Sequence, residues 1–344
     1  MISPSSNARV HRGMSLIELM VALGIGTFLI IGALTVHIQS RSTYAINESI
    51  ARLQENGRYF FDAVEPDIRM ARHWGLISEA SAIAGRASPT DPTSPLSPEN
   101  DCGPNWSVNL DDGVSASNGS YGFACPPYGT AASGADTLVV RRASVALIDA
   151  PENNTLYIQS SRGAGGALFI GPDIPAPFHR ETLEASQESS ETRELVVNGY
   201  YVSTNSSLDA PGNTVPSLRR KLLRQGGANG PVVVDEEVLP GVEDMQIEFG
   251  VDTDPFGDAD YGNVDRYIHP DDPTLDEADP AFAAHARILA IRVWLRLRSE
   301  WPEPGQAGES SFTYADQHAT DVNDGYRRIV VSKTIYLRNA AGAP

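Results

Sequence analysis

Hydrophobic and polar positions follow three different patterns along the 344-residue chain. In the first, residues 19–36 carry no charged side chain, and the longer span 14–38 contains a single acid, Glu18. A helix over 14–38 would be about 37 Å long, which exceeds the roughly 30 Å hydrocarbon thickness of a bilayer. This pattern predicts one transmembrane helix.

In the second pattern, apolar positions recur every three or four residues, as they do on one face of an amphipathic helix. Charged residues such as Glu48, Arg52 and Glu55 lie opposite that face. We expect the helix to continue to about Trp74, because Gly75 is a natural stop. The apolar face consists of Ile46, Ile50, Leu53, Gly57, Phe60, Phe61, Val64 and Ile68.

The third pattern is the two-residue alternation that is typical of strands, and it recurs after residue 136. In 287–298, apolar residues share one face and a row of arginines occupies the other. This row is either a partner surface or a solvated face paired with acids of neighbouring strands. The pattern predicts an antiparallel sheet packed on the helix. Its strands are 137–142, 155–160, 194–203, 218–224, 242–250, 287–298 and 327–338.

Between the helix and these strands, residues 78–134 are rich in Ser, Pro, Gly and Asn and lack a sustained period, which predicts a long surface loop. Both cysteines of the chain lie in this segment. In an oxidising compartment Cys102 and Cys125 can form a disulfide, and the alternative is two unrelated buried thiols.

The charge distribution adds an orientation to this picture. Arg9 and Arg12 precede the apolar run without any acid, whereas the whole chain carries 44 acidic and 26 basic residues, a net charge of −18. The positive-inside rule therefore places the N-terminus in the cytoplasm and the acidic body in the periplasm or outside the cell. Because this body is strongly acidic, nucleic acid is disfavoured as a partner, and a function as a DNA-uptake receptor is disfavoured as well.

Acidic residues are densest at 252–279, where ten of them accompany a single base. An Asp-x-Asp pair followed by glycine is similar to the opening of a calcium loop, although later positions of an EF-hand do not match. The alternative is a solvated acidic loop with no bound ion. The candidate calcium ligands are Asp252, Asp254, Asp258 and Asp260.

The sequence contains none of the common catalytic motifs. It has no nucleophile elbow, no P-loop, no paired-histidine zinc motif and no complete dinucleotide-binding glycine motif. Its seven histidines are scattered without the spacing of metal ligands. We therefore expect no enzymatic activity and, apart from the calcium hypothesis, no cofactor.

The start of the apolar run carries a specific motif, Arg12-Gly13-Met14-Ser15-Leu16-Ile17-Glu18-Leu19. It resembles the class III signal of type IV prepilins and pseudopilins. The resemblance implies that a prepilin peptidase cuts after Gly13 and that Met14 is then N-methylated. It also implies that the Glu18 carboxylate neutralises the terminal amine of an adjacent subunit and so fixes filament register. The alternative for Glu18 is a side chain at the membrane edge that reaches water.

Further stretches, at 53–60, 67–71, 74–75, 241–254 and 334–339, resemble the PilW family of minor pilins. The resemblance implies an α+β fold, in which a long N-terminal helix packs on a large antiparallel β-sheet head. The expected regions are a leader (1–13), a transmembrane half of the helix (14–38), an amphipathic half (39–75), a disulfide-bearing loop region (76–134) and a β-rich periplasmic head (135–344).

The same resemblance implies a minor pilin that primes type IV pilus assembly, sits at or near the pilus tip and supports adhesion and twitching motility. Its implied partners are other minor pilins, the major pilin, the prepilin peptidase, the inner-membrane assembly platform and a PilY-type tip adhesin. Before assembly the protein would be a single-pass inner-membrane protein. Two alternatives stay open: a minor pseudopilin of a type II secretion system, and a single-span periplasmic hydrolase, which would leave Gly13 and Glu18 unexplained.

Overall fold

The computed structural model describes residues 13–176, 178, 189–303, 311–320 and 324–340. The chain divides into two units, 1–51 and 52–344. The described residues form one long helix, α1 (Leu16–Arg69), followed by a β-rich head, which confirms the predicted α+β class. The strands are β1 (Ile83–Ala84), β2 (Val114–Ser117), β3 (Thr137–Ala143), β4 (Leu156–Ser161), β5 (Gly165–Ile170), β6 (Ser190–Ser203), β7 (Ser217–Arg224), β8 (Val232–Pro240), β9 (Val242–Asp252), β10 (Arg266–Ile268), β11 (Arg287–Arg298), β12 (Ser311–Tyr314), β13 (Gln317–Thr320) and β14 (Arg328–Tyr336).

The head is mostly antiparallel, as predicted, and its described strands are divided between two main sheets and a hairpin. The larger sheet has eight strands in the order β1-β5-β4-β6-β3-β2, with β7 and β8 continuing from β6. The smaller sheet has the order β10-β9-β11-β14, and β12 and β13 form a separate hairpin. Strand β6 has 14 residues, so it pairs with β4 along its first part and with β3 and β7 further on. One pair, β1 with β5, is parallel.

Helix α1 ends at Arg69, before the predicted end at Trp74. The cause is Arg72, whose φ of 62° lies in the left-handed region that stops a helix. The N–H of Arg72 donates to the carbonyl of Arg141 on β3 at 3.1 Å. The chain therefore leaves the helix by bonding to the larger sheet, before it reaches Gly75.

The second half of α1 packs on the smaller sheet. Its buried residues share one hydrophobic cluster with the apolar face of β11, as the helical period predicts. A Cβ at Gly57 would lie 3.2 Å from Val331 Cγ2 and 3.3 Å from Leu297 Cδ1, so glycine permits a close approach of helix and sheet. The buried helix residues are Leu53, Gly57, Phe60, Phe61, Val64, Asp67 and Ile68.

A buried polar network joins the end of α1 to the larger sheet. The Asp67 carboxylate accepts hydrogen bonds from Arg142 Nε at 2.7 Å, Asn198 Nδ2 at 2.8 Å and Tyr200 Oη at 2.9 Å. Arg142 lies on β3, and the other two donors lie on β6. Because an isolated buried carboxylate is costly and a fully hydrogen-bonded one is not, this network specifies where α1 meets the sheet.

The arginine row of β11 pairs with acids of its own sheet. Arg292 lies 3.2 Å from Glu248, and Arg296 lies 3.1 Å from Glu243. Arg298 lies 3.7 Å from the same Glu243 carboxylate. Of the two interpretations of this row, the structure supports the face paired with strand acids.

Residues 78–134 are not the surface loop that their composition predicts. Trp106, Val108, Leu110 and Phe123 are buried and form a second hydrophobic cluster with residues of the larger sheet. These apolar residues stand singly among polar residues, Gly and Pro, so no period marks them in the sequence. The segment covers one part of the larger sheet and supplies a share of the core.

The predicted disulfide between Cys102 and Cys125 is present, with a Cα–Cα distance of 4.4 Å. Cys102 is buried in the second cluster beside Trp106 and Phe123. The bond therefore closes a segment that has little regular secondary structure to hold it in place.

We predict that Asp67→Ala lowers the free energy of unfolding by about 3–5 kcal/mol, because it leaves the partly buried Arg142 guanidinium without its carboxylate and the buried donors of Asn198 and Tyr200 without their acceptor. A matched control is Arg69→Ala, which removes a more exposed ion pair to Glu65 on the same helical turn and should cost less than about 1 kcal/mol. Chemical denaturation of the full chain in detergent micelles measures both values. Equal effects of the two variants would contradict the role given to Asp67.

We predict that reducing the Cys102–Cys125 bond lowers the free energy of unfolding by about 3 kcal/mol, as expected for a loop of this size. The sequence separation of the two cysteines is 23. Mass spectrometry before and after reduction should differ by two hydrogen atoms. The double variant Cys102→Ser/Cys125→Ser should match the reduced protein in stability and should not respond to reductant. Two freely alkylated thiols in the native protein would refute the bond.

Candidate functional site

The first described residues lie at the predicted cleavage point. Gly13 and Met14 are exposed and precede the first turn of α1, while the remainder of the predicted leader and its two arginines lie outside the described residues. A Cβ added to Gly13 would meet no atom within 4 Å. No contact in the described part of the chain therefore requires glycine at this position.

Ser15 and Glu18 form a capping box at the start of α1. The N–H of Ser15 donates to Glu18 Oε2 at 3.0 Å, and the N–H of Glu18 donates to Ser15 Oγ at 3.2 Å. The two side chains thus satisfy two N–H groups that the helix leaves unbonded, and a carboxylate in the first turn also suits the helix dipole. This role of Glu18 was not predicted, although the Ser-x-x-Glu spacing is its sequence signature.

The apolar run from Leu16 to Ile38 is exposed along its length, and α1 is long and apolar enough to cross a membrane. Thr27 and Thr35 interrupt its apolar character. Their hydroxyls donate to carbonyls one turn earlier, Thr27 to Leu23 at 2.6 Å and Thr35 to Ile31 at 3.1 Å. The polar atoms of these threonines are therefore satisfied inside the helix, as a lipid environment requires.

The structure changes the set of acids that lie together in the acidic segment. Ligand atoms of Asp252, Asp254 and Asp265 lie within 4.8 Å of one another, and Asp258 and Asp260 are not part of this group. Asp265 joins it because its N–H donates to the Val251 carbonyl at 2.8 Å, which holds the chain beside the end of β9.

These three carboxylates already accept hydrogen bonds within the chain or interact with neighbouring charges. Asp252 is buried, pairs with Arg287 and accepts from the N–H groups of Asp254 at 2.9 Å and Gly262 at 2.7 Å. Desolvation and the neighbouring carboxylates raise the pKa of Asp254. Hydrogen bonds from Thr253 lower the pKa of Asp265. Calcium binding stays a prediction, with Asp265 in place of Asp258 and Asp260.

Two family models match the chain at its two ends. The prokaryotic N-terminal methylation motif matches residues 8–34, which include Gly13, Met14 and Glu18. The model of type IV pilus-assembly protein W matches residues 199–339, which include all four strands of the smaller sheet. Comparisons with curated proteins and with solved structures give no match.

The PilW family is a structural component of the pilus and not a family of enzymes. The prepilin signal and the apolar first half of α1 fit a membrane-anchored pilin. The chain is thus similar to the prokaryotic methylation motif at its start and to type IV pilus-assembly protein W over residues 199–339, and together with the α+β fold these two similarities match a type IV pilus minor pilin of the PilW family.

Proposed function

We propose that this minor pilin primes assembly of the type IV pilus in the inner membrane and stays at or near the pilus tip, where it supports adhesion and twitching motility. The observation that carries the proposal is the exposed apolar segment of α1, which begins at a methylation motif and bears a carboxylate in its first turn. The protein acts by packing and charge pairing. No catalytic step is part of this function.

The apolar segment supports a role in helix packing. Large apolar side chains are exposed on every side of it, from Leu16 to Ile38, so lipid or other helices must cover them. A Cβ at Gly24, Gly26 or Gly32 would meet no atom within 4 Å. These glycines leave a smooth helix surface that other pilin helices can approach closely.

Charge pairing would set the register of that packing. Cleavage after Gly13 creates a positively charged amine on Met14, and the capping box of Ser15 and Glu18 lies after the cut and is retained. A second subunit can offer its amine to the Glu18 carboxylate, because each charge is costly in an apolar environment and the pair is much less so. The Glu18 carboxylate would then cap the start of its own helix and also pair with the terminal amine of the neighbouring subunit.

Two features support a periplasmic head before assembly. The Cys102–Cys125 disulfide fits an oxidising compartment. Arg9 and Arg12 precede the apolar run, while the rest of the chain is strongly acidic. The size of the head, with two sheets and a second hydrophobic cluster, exceeds what coating a filament requires and favours a tip or initiating position over the repeated shaft.

The partners we propose are other minor pilins and the major pilin along α1, the prepilin peptidase at Gly13, the inner-membrane assembly platform and a PilY-type tip adhesin at the head. A pseudopilin of a type II secretion system would share the signal and the helix. The match to a pilus-assembly family over residues 199–339 favours the pilus.

We predict that Gly13→Val leaves the leader attached, because a branched side chain blocks access of the peptidase to the bond. A Cβ at Gly13 has open space in its own chain, so the variant should fold and insert normally. Gly32→Val is the matched control, since it makes the same change at another open glycine and should be cut as usual. N-terminal sequencing of both proteins from membranes decides. A mature terminus at Met14 in Gly13→Val would sink the claim.

We predict that Glu18→Ala and Glu18→Gln both insert into the membrane and both fail to enter pili. Glutamine can keep the capping box but carries no charge, so the pair of variants separates capping from charge pairing. Immunoblots of sheared pili and of membranes measure incorporation and insertion. If Glu18→Gln enters pili normally while Glu18→Ala does not, the carboxylate is needed as a cap and the register mechanism is wrong.

A further inference from the structure

A cavity of about 310 Å³ opens between the disulfide-closed segment and strands β2 and β3. This volume is at the lower end of the range for small-molecule sites, which is roughly 300–1,000 Å³. Cys102 lines the cavity, so the disulfide forms part of its wall. The lining residues that matter for its chemistry are Trp106, Asp112, Ser115, Phe123, Ala124 and Arg141.

Arg141 is a buried cation at this cavity that makes no direct ion pair among the described residues, and the carboxylates of Asp112 and Asp101 are the negative charges that act on it from further away. It is 2% exposed, and among the described residues no carboxylate oxygen lies within 4.0 Å of its guanidinium. Nε donates to the Trp106 carbonyl at 2.8 Å and Nη1 to the Asp112 carbonyl at 2.5 Å. Burial lowers the pKa of Arg141 to about 10, which leaves it charged at neutral pH. Because a buried cation is normally held in a direct ion pair and this one is not, its guanidinium can form that pair with a ligand.

Other groups at the cavity also offer hydrogen bonds. In the part of the chain that the structure describes, Arg141 Nη2 and the indole N–H of Trp106 have no acceptor. The Ser115 hydroxyl accepts from Arg141 Nη1 at 3.4 Å, which leaves its own hydrogen available. A guanidinium, an indole N–H and a hydroxyl are together complementary to an anionic oxygen pair.

The aromatic walls narrow the class of ligand further. Trp106 and Phe123 meet edge to face with ring centroids 5.8 Å apart, and both are largely buried. They give the ligand an apolar surface beside the charged group. We propose that this cavity binds a small carboxylate ligand, with Arg141 pairing with the carboxylate and the aromatic rings contacting its carbon skeleton. The site lies in the head and is independent of pilus assembly through α1.

Asp112 provides a test of the sign of the ligand charge. Its carboxylate lines the same cavity, is exposed and accepts from Asn109 Nδ2 at 2.7 Å. An asparagine at this position can keep that hydrogen bond. Because a nearby negative charge repels an anion and attracts a cation, Asp112→Asn should strengthen binding of a carboxylate and weaken binding of a metal ion or an amine.

The experiment is a titration of the full chain in detergent micelles with three probes, D-glucuronate, N-acetylglutamate and D-glucose. Ligand-observed NMR measures the binding of each probe. We expect at least one of the two carboxylates to bind with a dissociation constant of about 1 mM or lower, and glucose to bind at least about tenfold more weakly. If glucuronate binds more tightly, the carboxylate of the natural ligand belongs to a sugar acid. If N-acetylglutamate binds more tightly, it belongs to an acidic amino acid. No binding by either acid, or equal binding by glucose, would overturn the proposal.

A substitution of the buried Arg141 can disturb folding, so variants at exposed positions of the cavity test binding independently of it. Ala124 is exposed at the rim, so Ala124→Glu adds a repelling charge there, and Ala124→Gln adds the same bulk without charge. We expect Ala124→Glu to bind the acid about tenfold more weakly than Ala124→Gln, and Arg141→Lys to lose most binding because lysine lacks the planar fork. Indifference of binding to all of Ala124→Glu, Asp112→Asn and Arg141→Lys would show that the ligand does not bind in this cavity.

Discussion

The structure of this protein depends on one helix whose two halves have different surroundings, because one half exposes its apolar side chains and the other packs on the head. From Leu16 to Ile38, α1 exposes apolar side chains in all directions, as a lipid-facing helix does. From Leu53 to Ile68, the same helix is apolar on one face, and the smaller sheet buries that face. The head buries the apolar face of the second half of the helix. Among the described residues, nothing buries the apolar side chains of the first half. The function we propose, insertion into the membrane and later assembly with other helices, uses that difference.

The head also shows why α1 needs more than hydrophobic contact. An apolar helix face alone allows sliding along a sheet, whereas Asp67 has three donors on two strands of the larger sheet and fits one position only. The end of the helix is thus fixed by this polar network in addition to a hydrophobic cluster that includes residues of both sheets. The disulfide-closed segment adds a second hydrophobic cluster, and its cavity gives this part of the head a chemistry of its own.

Much of this structure was predictable where the sequence has a period. The helix, the alternation at 287–298 and the disulfide were predicted, and all seven predicted strands are present with small shifts at their ends. Strand β8 was missed because its acids hide its alternation. The strand contains three consecutive acids, which face three basic residues of β7 in register: Asp235 faces Lys221, Glu236 faces Arg220 and Glu237 faces Arg219. The buried residues of 78–134 and the joining of Asp265 to Asp252 depend on contacts between separate segments, which no local pattern records. The capping role of Glu18 is different, because its contact with Ser15 is local and its Ser-x-x-Glu signature is present in the sequence.

We propose that this chain enters the pilus as a minor subunit after maturation at Met14. Quantitative mass spectrometry of pili sheared from cells and freed of membranes tests it most directly. We expect a peptide that begins at N-methylated Met14, in an amount far below that of the major pilin. Its amount relative to the major pilin should fall further as pili become longer, because a tip subunit occurs once per filament. A chain that is missing from sheared pili, or one that is present in constant proportion to the major pilin at every filament length, would contradict it.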